Sequence, residues 1–173
     1  MGNIRIKALD QHDWAIYKLL RLSSLKDSPD SFGSTFERES AFQEREWASR
    51  LRCKKGILLV AFLNGTPVSL ASGLVNAKRG KSGSIYQMWV SPNARNLGVA
   101  KLLLAKIMDW ARELKLTSLS LEVTTSNTAA IKLYSSLGFL ADGELKELRA
   151  DSLVKVQPMS IVLSVSHATS LIC

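Results

Sequence analysis

The chain has 173 residues, of which 46% are hydrophobic, and it carries 23 Lys and Arg against 15 Asp and Glu. This length suits one globular domain with a substantial core and is short for two. The net charge of +8 predicts attraction of anions, whether nucleic acid, an acidic surface or a phosphorylated small molecule. The two cysteines, Cys53 and Cys173, lie outside any metal-ligand spacing, so we expect neither a metal site nor a disulfide framework.

The sequence contains no apparent targeting segment. The start MGNIRIK has no apolar signal core, and Ile6 stands where a myristoylation signal requires Ser or Thr. Two uncharged stretches, 56–77 and 156–173, approach the length of a membrane-spanning helix. The first is divided by the turn Asn-Gly-Thr-Pro, and the second contains a proline, a histidine and four serines. We therefore expect a cytoplasmic protein without membrane contact, with a polar tail at about 166–173.

The first third of the chain predicts one strand and two helical segments. Residues 4–9 read as a strand, and Asp10 then caps a helix of about 16 residues that has an acid at the third position of a capping box. After a loop, Ser34 and Glu37 have capping-box spacing, so a second helical segment is predicted to run to about Arg52.

The rest of the chain predicts alternating strands and helices. An Asn-Gly turn joins the strands expected near 57–63 and 67–75. From 98 to 114, apolar residues recur at steps of three and four, which indicates a helix. The expected strands lie near 57–63, 67–75, 84–90, 118–123 and 159–165, and a second helix lies near 128–137. The order predicts a single α/β (α+β) domain over residues 1–173.

The helix that starts at Gly98 has no acidic residue in its first turns. The residues after Gly98 read VAKLLLAKIM, and the first acid is Asp109. A helix N-terminus presents unpaired N–H groups and about half a positive charge, which usually attract Asp or Glu. The acid-free terminus indicates either a site for an external anion, to which Arg95 and Lys101 would add charge, or an ordinary strand-to-helix turn in a basic protein.

Two segments resemble the signatures of the GNAT superfamily of N-acetyltransferases. VSPNARNLGVAKLLL (90–104) is similar to the acetyl-CoA signature, a Val-x-Pro segment followed by Arg/Gln-x-x-Gly-x-Gly/Ala. LEVTTSNTAAIKLYSSLGF (121–139) is similar to the second signature, Asn-x-x-Ala-x-x-Leu-Tyr-x-x-x-Gly-Phe. Asn96 departs from the first signature, which most often has glycine there, but it keeps its N–H donor. The resemblance implies the GNAT fold, with a central, mixed, mostly antiparallel sheet that is splayed at the cofactor site and flanked by helices.

The resemblance also implies acetyl-CoA as cosubstrate, without a metal. In the family, loop amides wrap the pyrophosphate of coenzyme A at the helix start, and the splayed fourth strand pairs with the pantetheine arm. The residues that the resemblance assigns to acetyl-CoA are Met88, Val90, Arg95, Asn96, Gly98, Val99, Ala100, Lys101, Asn127 and Tyr134.

Tyr134 and Glu122 are the candidate catalytic residues. The family tyrosine at the position of Tyr134 lies near the coenzyme A sulfur, which implies a proton donor to the leaving thiolate; the alternative is a core tyrosine on an apolar helix face. Glu122 precedes Tyr134 by twelve residues. The ribosomal-protein N-terminal acetyltransferases have the same Glu-to-Tyr spacing, and their glutamate serves as the general base. Bulk water or a water chain is the rival base, and a strand carboxylate equally fits a solvated face.

The resemblance implies acetyl transfer to a primary amine of a small molecule or of a peptide or protein N-terminus, by direct attack in a ternary complex. The amine would enter between the segments 27–39 and 142–158, where acids beside aromatic rings suit a cationic amine with an apolar body. The expected wall residues are Phe32, Phe36, Glu37 and Glu39 on one side and Asp142, Glu144, Glu147 and Asp151 on the other.

Two other classes of function stay open on the sequence alone. One is a basic RNA- or ribosome-binding protein, although the Lys and Arg residues are dispersed and no aromatic-basic interleaving supports it. The other is an acyl-CoA-binding module without catalysis, against which Tyr134 and Asn127 both argue. We expect no nucleic-acid partner, and a monomer or homodimer.

Overall fold

A computed structural model describes residues 2–77, 80–150 and 152–163. The predicted tail at 166–173, the end of the predicted last strand and Asp151 lie outside these residues. The helices are α1 (Trp14–Asp27), α2 (Phe36–Ser40), α3 (Glu44–Arg50), α4 (Val99–Glu113) and α5 (Thr128–Ser136). The strands are β1 (Ile4–Ala8), β2 (Gly56–Leu63), β3 (Thr66–Val75), β4 (Ser82–Val90), β5 (Ser118–Thr124), β6 (Leu140–Ala141), β7 (Lys146–Glu147) and β8 (Lys155–Val162).

The strands of the described residues form one sheet in the order β1-β2-β3-β4-β5-β8-β6, with β7 also paired to β8. Strands β4 and β5 run parallel, and the other pairs are antiparallel. The predicted mixed, mostly antiparallel sheet is therefore confirmed. Among the described residues, no helix is long and apolar enough to cross a membrane.

Each face of the sheet packs against its own set of helices. Helices α4 and α5 bury residues such as Ile107 on one face, while α1 and α3 bury Tyr17 and Trp47 on the other. Adjacent residues of β2, Leu59 and Val60, belong to different cores, because successive strand side chains point to opposite faces. The sheet is thus covered by helices on both sides, as expected.

The pairing of β4 with β5 is limited to the first three residues of each strand, and this opens the sheet. Ser82–Ser84 pair with Ser118–Ser120, and the ladder ends there. Further along β4, the register with β3 shifts between Leu70 and Ser72, and Gln87 takes a left-handed φ of +56°. This bulge adds a bend to β4, and the predicted splay between the two strands is confirmed.

The first predicted capping box is confirmed, whereas the second is wrong. Asp10 and Asp13 exchange both cap hydrogen bonds around a 3₁₀ turn that leads into α1. In the second segment the cap is Thr35, whose hydroxyl accepts from the Arg38 amide at 3.3 Å. That segment is also two helices, because the chain turns after Ser40 and a new capping box, Gln43 with Glu46, starts α3.

The last strand begins at Lys155, four residues before the predicted start, and includes Pro158. The Pro158 carbonyl accepts from the Asp142 amide at 2.9 Å, on the β6 side. Because the backbone N and C=O of one strand residue face the same neighbour, the missing N–H of Pro158 costs β8 nothing in its pairing with β5. The strand therefore includes Pro158, which the predicted strand at 159–165 had left out.

Candidate active site

A cavity of about 1160 Å³ lies where β4 and β5 separate. It extends from the start of α4, past α5, to the loop after α1 and the β7 region. All the residues assigned to acetyl-CoA from the sequence line it, and so do Tyr134 and Glu122. The splay therefore brings the two sequence signatures to one site.

The start of α4 is an open, acid-free helix terminus on the cavity wall. Gly98 is the N-cap with φ +80°, and no side chain caps the first turn. A Cβ added at Gly98 would meet nothing within 4 Å, so a ligand has room to approach the backbone. Asn96 is left-handed as well, with φ +62°, which explains why glycine is frequent there and why Asn, which tolerates this region, replaces it. The exposed N–H groups and the absence of acids fit the pyrophosphate of coenzyme A.

Arg95 is positioned by the end of α1. Its Nε donates to the Val90 carbonyl at 3.0 Å, and its Nη2 donates to Asp27. Asp27 also accepts from Trp89 Nε1 at 2.9 Å. Burial opposes ionisation of Asp27, but the hydrogen bonds from Trp89, Ser28 and Arg95 outweigh it and lower its pKa. Part of the charge expected of Arg95 is thus already paired, through a residue that the sequence analysis had not singled out.

Tyr134 is buried at the cavity, with 6% of its surface exposed. Its ring packs against Phe139 at 6.0 Å between centroids. Burial raises the pKa of Tyr134 to about 12, because the phenolate loses solvation. The helix that carries it, α5, starts at Asn127, whose side chain accepts from the Ala130 amide at 3.1 Å. Tyr134 is therefore a phenol that stays protonated at neutral pH, held by a capped helix.

Glu122 lies on the other face of β5 from the core formed with α4 and α5. Its neighbours Leu121 and Val123 are buried in that core, so strand alternation directs Glu122 towards the opposite side. Its carboxylate accepts from Lys146 Nζ at 3.1 Å, and Lys146 also lines the cavity. This ion pair was not predicted, because 24 residues separate its members.

The structure brings only some of the expected acceptor-wall residues to the cavity. Phe32 and Asp142 line it, whereas Phe36 and Glu37 line a separate cavity of about 310 Å³. Glu144 and Glu147 are exposed and line neither cavity, and Glu147 pairs with Lys155 at 3.3 Å.

The expectation for Glu39 was wrong, because this residue is buried in an ion-pair cluster. Only 1% of it is exposed, and it accepts from Arg21 at 2.8 and 3.0 Å and from Arg50 at 2.9 Å. Burial would raise the pKa of Glu39, but the hydrogen bonds and charges of the two arginines lower it instead. Its charge is thus satisfied internally. The guanidinium of Arg21 in turn stacks on Phe32, 4.7 Å from the ring centroid.

Arg149 connects the two segments that the sequence analysis expected as acceptor walls. Its Nη1 donates to the carbonyl oxygens of Phe32 at 3.0 Å and Pro29 at 3.3 Å. The loop after α1 and the segment between β7 and β8 are therefore attached to each other. Within the described residues, no group of three or more His, Cys, Asp or Glu is placed to hold a metal ion.

Comparison with known proteins gives the class. The family model "Acetyltransferase (GNAT) family" matches residues 15–139. The mycothiol acetyltransferase of Renibacterium salmoninarum is 39% identical over 57 residues, which are 33% of this chain and 17% of that protein. The chain thus aligns with less than a fifth of that relative.

Solved structures show the same fold. YncA from Salmonella typhimurium, solved with its cofactor acetyl-CoA, has a TM-score of 0.78 and 18% identity, with 99% of each chain covered. The ribosomal-protein-S18-alanine N-acetyltransferase of Escherichia coli has a TM-score of 0.71 and 20% identity, with 96% of this chain and 98% of that chain covered. The chain belongs to the GNAT family of acetyltransferases. It is an acetyltransferase domain of the class that uses acetyl-CoA as acetyl donor.

Proposed function

We propose that the protein transfers the acetyl group of acetyl-CoA to a primary amine of a small molecule or of a peptide or protein N-terminus. The observation that carries this proposal is the cavity at the splay, which joins an acid-free helix terminus, a buried phenol and a strand carboxylate. These are an anion site, a proton donor and a proton acceptor, which direct acetyl transfer from a thioester to an amine needs.

The two catalytic candidates take different roles because their surroundings differ. Tyr134 keeps its proton at neutral pH and supplies it to the thiolate that leaves. Glu122 is half-exposed, at 52% of its side chain, and accepts the proton that the attacking amine loses, directly or through a water. The amine reaches the acetyl carbonyl from the Glu122 side while acetyl-CoA extends from the start of α4. The attack takes place in a ternary complex, without an acetylated enzyme.

The acceptor is an amine that passes Phe32 and Asp142, which line the cavity beyond the splay. The acid beside an aromatic ring favours a cationic amine with an apolar part. The Escherichia coli enzyme that shares this fold is named for an alanine of ribosomal protein S18, and the spacing of Glu122 and Tyr134 supports a peptide or protein acceptor for this chain. A small-molecule amine fits the same cavity.

A screen of amines by release of coenzyme A thiol tests the proposal. Small polyamines, amino-acid amides and peptides with a free N-terminus form the panel, and the same peptides with a blocked N-terminus are the controls. We expect thiol release that requires both acetyl-CoA and a free amine. The proposal fails if no amine raises thiol release above the rate in buffer.

A thermal-shift titration with coenzyme A, acetyl-CoA and RNA at moderate salt separates the alternatives. Stabilisation by RNA alone would favour the RNA-binding class. Stabilisation by coenzyme A without acetyl transfer to any amine would favour a non-catalytic acyl-CoA-binding module.

A further inference from the structure

Lys146 brings an amino group of the protein itself into the cavity. Its Nζ is 3.1 Å from Glu122 Oε1, and both residues line the cavity that Tyr134 also lines. Strand β7 pairs with β8, and β8 pairs with β5, so Lys146 reaches Glu122 from the acceptor side. A primary amine that contacts the proposed base has the chemistry of an acceptor.

The ion pair leaves Lys146 free to move. The side chains of Lys146 and Glu122 are 60% and 52% exposed, and ion pairs this exposed contribute little to stability and exchange readily with solvent. The Nζ atom ends a chain of four methylene groups with several rotatable bonds. Lys146 can therefore leave Glu122 and approach a thioester in the cavity without unfolding of the strand that carries it.

We propose that Lys146 is a self-acetylation site of this protein; this inference rests on the proposed function. The Nζ lone pair attacks the thioester carbonyl carbon, so that a C–N bond forms and the C–S bond breaks. The ammonium gives up two protons in all. One leaves through Glu122 to solvent, and the second replaces the proton that Tyr134 has delivered to the coenzyme A thiolate. Lys146 ammonium and acetyl-CoA thus yield acetyl-lysine, coenzyme A thiol and one proton.

Self-acetylation changes the site in a defined way. An acetylated lysine carries no charge and loses its ion pair, so the Glu122 carboxylate becomes available to an external ammonium. In the unmodified protein, Lys146 competes with the acceptor for Glu122. The modification therefore removes an internal competitor.

Lys155 is a matched control on the same hairpin. Its Nζ is 3.3 Å from Glu147 Oε1, and these side chains are 47% and 55% exposed. The distance and exposure resemble those of the pair formed by Lys146 and Glu122, but neither Lys155 nor Glu147 lines the cavity. Uncatalysed acetylation in solution would label both lysines alike, whereas transfer in the active site would favour Lys146.

The test is incubation of the full chain with acetyl-CoA and no other amine, followed by peptide mass spectrometry. We expect Lys146 to be acetylated at least about 10-fold faster than Lys155, since a tethered amine has a high effective concentration. The fraction of Lys146 acetylated per unit time should not depend on protein concentration, and excess coenzyme A should lower this fraction. In Lys146→Arg, which keeps the charge, Lys155 should stay at its low level.

Three results would overturn the inference. They are equal acetylation of Lys146 and Lys155, a fraction of Lys146 acetylated per unit time that rises with protein concentration, and acetylation that excess coenzyme A leaves unchanged. The same samples are assayed for thiol release with an amine acceptor from the screen. A protein that acetylates the external amine but leaves Lys146 at the Lys155 level keeps the proposed function and loses only self-acetylation. A protein that acetylates neither loses both.

Discussion

At the scale of the residue, the Tyr134 hydroxyl combines burial with a position on the cavity wall. Replacing it in Tyr134→Phe removes one oxygen and leaves the packing against Phe139. We expect turnover to fall by about 10- to 10⁴-fold and acetyl-CoA affinity to stay within a few-fold, as for loss of a general acid that is not a main anchor. Steady-state kinetics and calorimetric binding measure the two effects. Unchanged turnover, where chemistry limits the rate, would leave Tyr134 with a packing role only.

The raised pKa of Tyr134 gives a second prediction, in the alkaline range. Its folded-state pKa is about 12 against an ordinary tyrosine value of 10.0, so the folded protein holds this proton more tightly than the unfolded chain does. The corresponding stability is present below about pH 10 and is lost as the pH rises towards about 12. Denaturant unfolding at both ends of this range should show a loss in the wild type that is smaller in Tyr134→Phe. An equal loss in both proteins would show that other groups cause it.

At the scale of the element, the acid-free start of α4 is the proposed binding site for the pyrophosphate of acetyl-CoA. In Gly98→Asp, a negative charge at this terminus repels the pyrophosphate, so stabilisation by coenzyme A in a thermal-shift titration should disappear. The helix itself should form, because Asp is a good N-cap residue.

Gly65→Asp is the control for this variant. Gly65 has φ +86°, close to the +80° of Gly98, and a Cβ at either glycine meets nothing within 4 Å. The two substitutions therefore impose similar backbone strain, but Gly65 lies in the turn between β2 and β3 and does not line the cavity. Gly65→Asp should keep the full coenzyme A shift. If Gly98→Asp also keeps it, the pyrophosphate site lies elsewhere.

At the scale of the whole molecule, the cluster of Arg21, Glu39 and Arg50 joins α1, α2 and α3. Glu39→Gln leaves two guanidinium groups without their counter-charge, so we expect a loss of about 3–5 kcal/mol in the free energy of unfolding. Because the folded-state pKa of Glu39 is lowered, its stabilisation is present above the unfolded pKa, about 4.3, and is lost as the pH falls through the folded value.

Denaturant unfolding measures both parts of this prediction. Glu39→Gln should be less stable than the wild type at neutral pH, and its stability should fall less on acidification. Glu147→Gln is the comparison, because it removes an acid whose ion pair is half-exposed and should change stability by less than about 1 kcal/mol. Equal effects of the two substitutions would show that burial does not strengthen the cluster.

Local sequence signals determined much of this protein. The apolar spacing predicted α4, whereas the acid-free residues after Gly98 left open either an anion site or an ordinary strand-to-helix turn until the resemblance was considered. The Asp10 capping box was confirmed because a cap depends on residues three positions apart. The second predicted box was wrong because two adjacent residues, Ser34 and Thr35, can both cap a helix, and Thr35 is the cap in the structure. Strands β6 and β7, of two residues each, are too short to leave a pattern.

Tertiary structure alone decided which charged side chains form ion pairs with one another. Arg95 meets Asp27 across 68 residues of sequence, and Arg21 meets Glu39 across 18. Such pairs form because the sheet order and its splay bring distant segments together. The spacing of charged residues along the sequence does not identify which of them will pair. The sequence by itself therefore determined the helices and most strands, which depend on short-range spacing, and its two signatures implied the GNAT fold by resemblance. The folded chain decided which acids are free, because burial and pairing are properties of position in space.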